Sequence, residues 1–331
     1  MKSVSVRPPR RGVALLMAMV IMTIVATVAA GMVWQQNRSV QIEAAERARA
    51  QATWILNGAI DWARLILRED FRADRERGRG ANPRPFFDAL GETWAQPLAE
   101  ARLSSFLAAD KDNSADATLE LFLSGEIVDV QSRYNLRNLF DPAGKPSVPD
   151  RAALQRLADL AGAPGDTAER IQQALAAAWR PANEEQARSA PLPPTRIEEL
   201  RFAGIEPAVI ERLAPYVTLL PQRTPVNVNT AGPEVLVAAI DGLDLGTAER
   251  IISARKRKAL GALDSLEELQ TLLPPNVKPD GSRVAFMTQW FEVRGRLRLD
   301  ERVLEERSLV ERRDNDVTVR RRERLSQAGT R

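Results

Sequence analysis

An uncharged segment near the start of the chain constrains the fold more than any other feature. Residues 13–33 are 21 residues without a charged side chain, and Thr23 and Thr27 are their only polar side chains. A helix of this length, rising about 1.5 Å per residue, spans about 30 Å, which is the thickness of the hydrocarbon layer of a bilayer. The sequence therefore predicts one transmembrane helix over residues 13–33.

The residues before this segment predict its orientation. Lys2, Arg7, Arg10 and Arg11 all precede it. Basic residues flanking a membrane span remain on the cytoplasmic side. We therefore expect a single-pass protein with its N-terminus in the cytoplasm and the bulk of the chain on the other side.

Two other interpretations of the apolar segment have to be weighed. A removable secretory signal peptide would use Val28-Ala29-Ala30 as its cleavage site. However, the apolar stretch before that site is longer than the usual core of about 7–15 residues. An uncleaved membrane anchor is the second alternative, and residues 13–33 do not distinguish it from other kinds of membrane helix.

The residues that follow the segment extend its helical pattern. Small and apolar residues recur at steps of three and four, at Ile42, Ala45, Ala48, Ala52, Ile55, Ala59, Trp62 and Ile66. This spacing is typical of an amphipathic helix. The sequence predicts one unbroken helix from Val13 to about Glu69, about 85 Å long, which argues against a signal peptide that ends at Ala30. The charged stretch 68–85 is predicted to be a mobile connector.

Composition narrows the functional classes. The 331 residues suffice for about two domains, and the net charge is +3 with both signs interspersed, which does not indicate nucleic-acid binding. The chain has no cysteine and no histidine, so thiolate and imidazole catalysis are excluded. It also lacks a phosphate-binding loop and a dinucleotide fingerprint. We do not expect an enzyme.

The rest of the chain predicts an α+β fold. Alternation over residues 118–129 predicts a β-hairpin around Ser124-Gly125, and three terminal segments within 284–331 predict short strands. The intervening residues have a helical pattern broken by proline-rich connectors. We expect an antiparallel sheet, formed by residues 71–133 and 284–331, that carries a large all-α insert over residues 134–283.

The helical block contains an internal repeat. GAPGDTAERI at Gly162 and GLDLGTAERI at Gly242 share their last five residues, and GIEPAVIERL at Gly204 is a looser copy. This block resembles the helix-hairpin-helix units of DNA-binding proteins. Such units hold a phosphate with backbone N–H groups at a Gly-hydrophobic-Gly turn, but this chain has Leu243 and then Asp244 there. We expect structural use of the repeats, with a membrane-tethered DNA receptor as the alternative. The basic run 255–258 is expected to cap its helix and face solvent.

An acidic loop is a candidate metal site. Asp110, Asp112, Asn113 and Asp116 place oxygen ligands close together in the sequence AADKDNSAD, and oxygen atoms are the ligands that Ca²⁺ prefers. The loop lacks the glycine and glutamate of an EF-hand. Calcium and a solvated turn both remain interpretations of this loop.

The start of the chain resembles a known family. RRG followed by VALLMAMVIMTIVA is similar to the prepilin signal of type IV pilins and of the pseudopilins of type II secretion. The resemblance implies that residues 1–12 are a leader, that prepilin peptidase cuts after Gly12, and that the new N-terminal residue Val13 is N-methylated. The apolar helix would then remain in the mature protein.

One departure points to a particular branch of that family. Most pilins carry glutamate at the fifth mature position, and this chain has Met17 there. Together with the predicted insert and the segment QSRYNLRNLF, this resembles the K-type minor pseudopilins. The resemblance implies a tip subunit of the pseudopilus in the bacterial inner membrane, with most of the chain periplasmic. It also implies I- and J-type pseudopilins, prepilin peptidase and membrane lipid as partners, with secreted proteins as possible further partners. No nucleic acid is expected as a partner. The family includes calcium binders.

Overall fold

The computed structural model describes residues 11–79, 86–102, 121–179, 188, 190–261, 265–299 and 302–327. Contacts divide the chain into two units, Met1–Asn57 and Gly58–Arg331. The first described element is helix α1, Arg11–Arg79, which contributes residues to both units.

As the periodicity predicted, helix α1 continues beyond the apolar segment. It also continues into the stretch that was predicted to be a mobile connector, so that prediction is wrong for residues 68–79. Within this extension Arg72 pairs with Glu69 at 2.9 Å, and the side chain of Asp74 is buried. Pairs at this spacing stabilise a helix surface. Residues 80–85 of the connector lie outside the described residues.

The main sheet has five antiparallel strands in the order β1-β2-β7-β8-β9. The strands are β1 Leu98–Arg102, β2 Leu121–Asp129, β7 Trp290–Leu299, β8 Arg302–Arg313 and β9 Asp316–Gln327. Asp129 at the end of β2 lies opposite Phe291 at the start of β7. The residues between these neighbouring strands therefore leave and re-enter the sheet at one end, as an insert does.

The hairpin predicted around Ser124-Gly125 is absent from the described residues 121–129. Gly125 instead lies in the middle of strand β2, between Leu98 of β1 and Gly295 of β7. A Cβ atom on Gly125 would lie 2.9 Å from the backbone oxygen of Arg294. This glycine permits a close approach of two strands rather than a turn.

The three predicted C-terminal strands are confirmed as β7, β8 and β9. One face of the sheet packs against α1 through a cluster of apolar side chains from both elements and the adjoining loop. The members are Ile60, Ala63, Leu67, Trp94, Phe291, Val293, Val310 and Val317. The rings of Trp94 and Phe291 meet edge to face with centroids 5.2 Å apart, a favoured aromatic geometry. In β7 the buried Phe291, Val293 and Leu297 lie two or four positions apart, so they share one face of the strand.

The segment between β2 and β7 is mostly helical and has its own core. Its described α-helices are α2 Val148–Leu160, α3 Thr167–Trp179, α4 Pro207–Leu213, α5 Pro233–Ala239, α6 Leu245–Arg257 and α7 Ser265–Leu272. The core includes the fully buried Leu154, Leu157, Ile171, Leu236 and Ile251. A separate core is a property of a domain.

The expectation of an all-α insert needs one correction. Two pairs of two-residue strands lie in or beside it: β3 Tyr134–Asn135 with β4 Val217–Thr218, and β5 Val226–Asn227 with β6 Val284–Ala285. Both pairs are parallel. They pair residues distant in sequence, which a local hydrophobic pattern does not reveal.

The internal repeat corresponds to a repeated local structure. Gly162, Gly204 and Gly242 have positive φ angles of 67°, 86° and 79°. Each follows one helical element and precedes another: α2 and α3, the 3₁₀ helix Ile197–Ala203 and α4, and α5 and α6. Positive φ is easily adopted only by glycine, so the repeated glycines reverse the chain between paired helices.

Candidate functional site

Within the described residues, α1 is the one helix long and apolar enough to cross a membrane, and its most apolar window has no buried residue. Gly12 and Val13 lie in its first turns. Val13 is 52% exposed and Met17 is 62% exposed. These side chains are free to contact lipid or another helix, and residues 1–10 of the leader lie outside the described residues.

The two polar side chains of the apolar segment are satisfied within the helix. Thr23 Oγ1 donates to the carbonyl oxygen of Val20 at 2.8 Å, and Thr27 Oγ1 donates to that of Ile24 at 2.8 Å. A polar group without a partner is costly in hydrocarbon. Both threonines are therefore compatible with the predicted membrane segment 13–33.

The turn that resembles a DNA-binding hairpin is closed by its own carboxylate. Asp244 caps helix α6, and its side chain accepts hydrogen bonds from the backbone N–H of Thr247 at 2.9 Å and from Thr247 Oγ1 at 2.7 Å. The hydrogen bond from the Thr247 side chain lowers the pKa of Asp244. A phosphate would have to displace this negative charge, so the turn is built for helix capping.

The basic run 255–258 lies at the C-terminal end of α6. Lys256, Arg257 and Lys258 are exposed, as predicted, and Lys258 pairs with Glu268 at 2.8 Å. Arg255 differs from them because it is partly buried and donates to the carbonyl oxygen of Val228. Burial lowers its pKa to about 10.

A buried ionic cluster joins three parts of the chain. Arg312 of β8 donates to Asp88 Oδ1 at 2.5 Å and to Asp70 Oδ2 of α1 at 3.1 Å. The same guanidinium donates to the carbonyl oxygen of Thr288, whose N–H donates to Asp88 Oδ2 at 2.8 Å. The arrangement connects the helix, the loop before β1 and the last strands of the sheet.

This cluster contains more carboxyl groups than its one guanidinium can neutralise. Oxygen atoms of Asp70, Asp88 and Glu92 lie within 4.8 Å of one another. Burial raises the pKa of Asp70 to about 6 and that of Glu92 to about 7, and it also raises the pKa of Asp88. The cluster is therefore partly protonated near neutral pH.

Three carboxylates at this spacing have the donor set of a calcium site, but the geometry disfavours one. Arg312 already donates to two of them, and Glu92 Oε2 accepts from Ala89 N at 2.9 Å and from Trp94 Nε1 at 3.0 Å. A cation bound by these carboxylates would lie beside the positively charged guanidinium of Arg312. The calcium candidates Asp110, Asp112 and Asp116 lie outside the described residues.

A second buried carboxyl group attaches the helical segment to the sheet. Asp129 Oδ2, at the end of β2, accepts from Asn227 Nδ2 at 2.9 Å and from Thr230 Oγ1 at 2.6 Å. Asn227 Nδ2 also donates to the carbonyl oxygen of Asp88 at 3.0 Å. Burial raises the pKa of Asp129 to about 6. Since Asp129 and Asn227 lie on opposite sides of this junction, their bond fixes the two parts together.

Sequence reasoning did not identify these buried polar residues. Asp88 and Arg312 are separated by 224 positions, and Asp129 and Asn227 by 98. No short motif relates them. The one local signal is the apolar context of Asp88 in FFDAL, where a charged residue must be paired if it is buried.

Comparisons with known proteins agree with this architecture. Two family models described as "Type II secretion system (T2SS), protein K" match residues 132–222 and 226–284, which lie in the helical segment. The type II secretion system protein K of Pseudomonas aeruginosa is 29% identical over 305 residues, covering 89% of this chain and 87% of the relative. These matches support a relationship to the type II secretion system protein K family. The protein K of Pectobacterium carotovorum is 25% identical over 96% of this chain and 97% of its own length.

A solved structure shares the fold. It comes from the GspK-GspI-GspJ complex of enterotoxigenic Escherichia coli, with a TM-score of 0.56 and 17% identity. The match covers 86% of this chain and 99% of that one. The α+β arrangement of helices and an antiparallel sheet in this chain is consistent with the fold of that structure.

The family-model matches and these relatives confirm the resemblance to K-type minor pseudopilins. The family is a structural component of a protein-transport system rather than a known enzyme family. The DNA-receptor alternative is not favoured by these relatives.

Proposed function

We propose that the chain is a minor pseudopilin at the tip of the type II secretion pseudopilus, where it initiates pseudopilus assembly and is needed to export folded proteins across the outer membrane. The observation that carries this proposal is the combination of two features in one relative of the protein K family. An exposed apolar helix provides an assembly surface, and a helical segment with its own core is inserted between β2 and β7.

The proposed precursor has a leader of residues 1–12, a membrane helix over 13–33 and its amphipathic continuation over 34–70. Prepilin peptidase would cut after Gly12, and Val13 would then be N-methylated. The pilin-like domain would comprise 71–133 and 284–331, with the insert over 134–283. The position of Gly12 immediately before the apolar run supports this division.

Met17 supports a place at the tip. A glutamate at the fifth mature position would present its carboxylate to the terminal amine of a neighbouring subunit, whereas Met17 offers an uncharged side chain that is 62% exposed. A subunit with methionine here cannot make that ion pair. This loss is tolerable for a subunit that has no other subunit above it.

The proposed partners are the I- and J-type minor pseudopilins, prepilin peptidase, inner-membrane lipid and, at the periplasmic side, secreted proteins. The solved relative is part of a complex with GspI and GspJ, which supports equivalent partners for this chain. The basic residues before the membrane segment support a cytoplasmic N-terminus and a periplasmic domain in the inner membrane.

We also propose that the helix-hairpin-helix-like repeats have a structural role in the insert. The capping of α6 by Asp244 supports this role because the carboxylate already accepts from the backbone N–H of Thr247 and places a negative charge at the turn. We assign no catalytic residue, in line with the lack of histidine and cysteine.

Mass spectrometry of the protein from a host with active prepilin peptidase tests the processing step. We expect an N-terminus at methylated Val13, and retention of residues 1–12 would contradict cleavage. The variant Gly12→Leu is the matched control, because a bulky residue at the cut should leave the leader attached.

Co-purification tests the assembly role. The processed chain, extracted in mild detergent, should retain the I- and J-type pseudopilins of its own system, while the uncleaved Gly12→Leu variant should not. Equal recovery from both, or from neither, would contradict the proposed assembly.

A further inference from the structure

A cavity of about 500 Å³ lies between the loop before β1 and the C-terminal end of α6. Phe87, Ala89 and Leu90 line one side, and residues 255–259 line the other. Its volume is in the range of small ligand sites. The four basic residues of the run are thus not spread along a flat solvated face, because all of them border one cavity.

The charge of this cavity is strongly unbalanced. Within the described part of the chain, no carboxylate forms an ion pair with Arg255, Lys256 or Arg257; Lys258 alone pairs, with Glu268. Glu92 is the one acidic residue among the described lining residues, and its Oε2 accepts two hydrogen bonds from the protein itself. The cavity is therefore complementary to an anion.

The kind of anion follows from the other groups at the site. Residues 255–258 end a helix, so the nearby backbone groups of α6 are carbonyl oxygens, which disfavour a multiply charged phosphate. The cations are presented by extended side chains instead. A singly charged carboxylate can be bound by such side chains without backbone N–H groups.

The apolar residues of the cavity narrow the class of anionic ligand that fits it. Leu90 is 54% exposed, although it lies beside the cavity, and Ala89 is buried next to it. An exposed leucine at the edge of a cationic cavity would gain from contact with an apolar side chain. A ligand that combines a carboxylate with an adjacent apolar group matches both walls.

We propose that this cavity binds a peptide segment of a partner protein in which acidic and apolar residues alternate. The acidic side chain contacts Lys256 and Arg257, and the neighbouring apolar side chain packs on Leu90 and Phe87. This site goes beyond the proposed tip function and does not depend on leader cleavage. It gives the basic run a binding role in addition to helix capping.

Calorimetric titration of the full chain in detergent micelles tests the site. The probes are the peptide Ac-Gly-Asp-Leu-Glu-Leu-Gly-NH₂ and its neutral analogue with Asn and Gln. We expect the acidic peptide to bind about tenfold more tightly and to lose affinity as salt is raised. Equal binding of the two peptides, or binding of neither, would overturn the proposal.

Matched variants locate the binding. The double variant Lys256→Gln/Arg257→Gln removes two exposed cations of the cavity and should lower affinity at least about fivefold. Lys145→Gln/Lys278→Gln removes two exposed cations that do not line the cavity and should leave affinity unchanged. A similar loss in both double variants would show non-specific attraction and reject the site.

Two further binding measurements complete the test. Leu90→Ser should also weaken peptide binding if the apolar wall takes part, and an unchanged affinity would refute that wall. Inorganic phosphate at about ten times the peptide concentration should not displace the peptide; efficient displacement would reassign the cavity to phosphate. Melting curves for each variant establish that the fold is retained.

Discussion

Arg312 of β8 donates to Asp88 Oδ1 at 2.5 Å, although 224 positions separate the two residues. Both side chains are almost completely buried, with 3% of Arg312 and 1% of Asp88 exposed. The pair lies where α1, the loop before β1 and the end of the sheet meet. It joins α1, the loop before β1 and the residues that lead into β7.

Removing this guanidinium should be strongly destabilising. Arg312→Met leaves Asp88 as a buried carboxyl group without its charged partner, which typically costs about 3–5 kcal/mol. Urea unfolding of the full chain in detergent micelles measures the loss in the free energy of unfolding.

A matched exposed arginine provides the control for Arg312. Arg72→Met breaks a pair with Glu69 whose side chains are 50% and 53% exposed, and we expect a loss below about 1 kcal/mol. Adding Asp88→Asn to Arg312→Met should recover part of the large loss. Equal losses for the two single variants would contradict the importance of the buried pair.

Stability should decrease as pH rises from mildly acidic to slightly alkaline. Burial raises the folded-state pKa of Asp70 and Asp129 to about 6 and of Glu92 to about 7. A raised folded-state pKa means that the folded state binds more protons than the unfolded state. The stabilisation that these protonated carboxyl groups give to the folded state is complete below their unfolded-state pKa values, about 4. It is lost as the pH rises through the folded-state pKa values, about 6 and about 7.

Melting temperatures between about pH 5 and about pH 7.5 check this pH dependence. We expect a higher value at the lower pH. Desolvation of Glu199 is outweighed by hydrogen bonds, which lower its pKa to about 2. Its contribution to stability is lost as the pH falls, but only below about pH 4.5. Glu92→Gln should flatten the slope, and an unchanged slope would show that Glu92 does not contribute.

The turn before α6 should not tolerate a side chain at its glycine. Gly242 has a φ of 79°, and an added Cβ would meet Val277 at an ordinary 3.6 Å. The cost of Gly242→Ala is therefore backbone strain, about 1–2 kcal/mol. Gly165→Ala is the control, since nothing lies within 4 Å of its added Cβ and its φ is not positive. Thermal unfolding should separate the two variants, and equal effects would contradict the strain argument.

The carboxylate at the start of α6 should stabilise its helix. Asp244→Ala removes the acceptor of two hydrogen bonds from Thr247 and should lower the melting temperature, whereas Asp244→Asn keeps an acceptor oxygen and should lower it less. The DNA alternative has a separate test. Duplex binding at about 50 mM salt by the unaltered chain would favour that alternative.

The elements that were predicted well are those with a long local pattern. The apolar run and its amphipathic continuation predicted α1, and apolar residues interspersed with polar ones predicted β7, β8 and β9. The incorrect predictions concerned residues whose contacts are remote in sequence. Gly125 was interpreted as a turn because its close neighbour, Arg294, lies on a strand that is remote in sequence.

The sequence by itself determined the long apolar helix that fits a membrane anchor, the family resemblance, the repeated glycine turns and the absence of thiol and imidazole chemistry, because each of these depends on local sequence or composition. Only the tertiary structure decided that Arg312 pairs with Asp88, that Asp129 binds Asn227, and that the basic run borders a cavity. These contacts arise when burial brings remote charges together, and the cost of leaving such charges unpaired in a low-dielectric interior selects their partners.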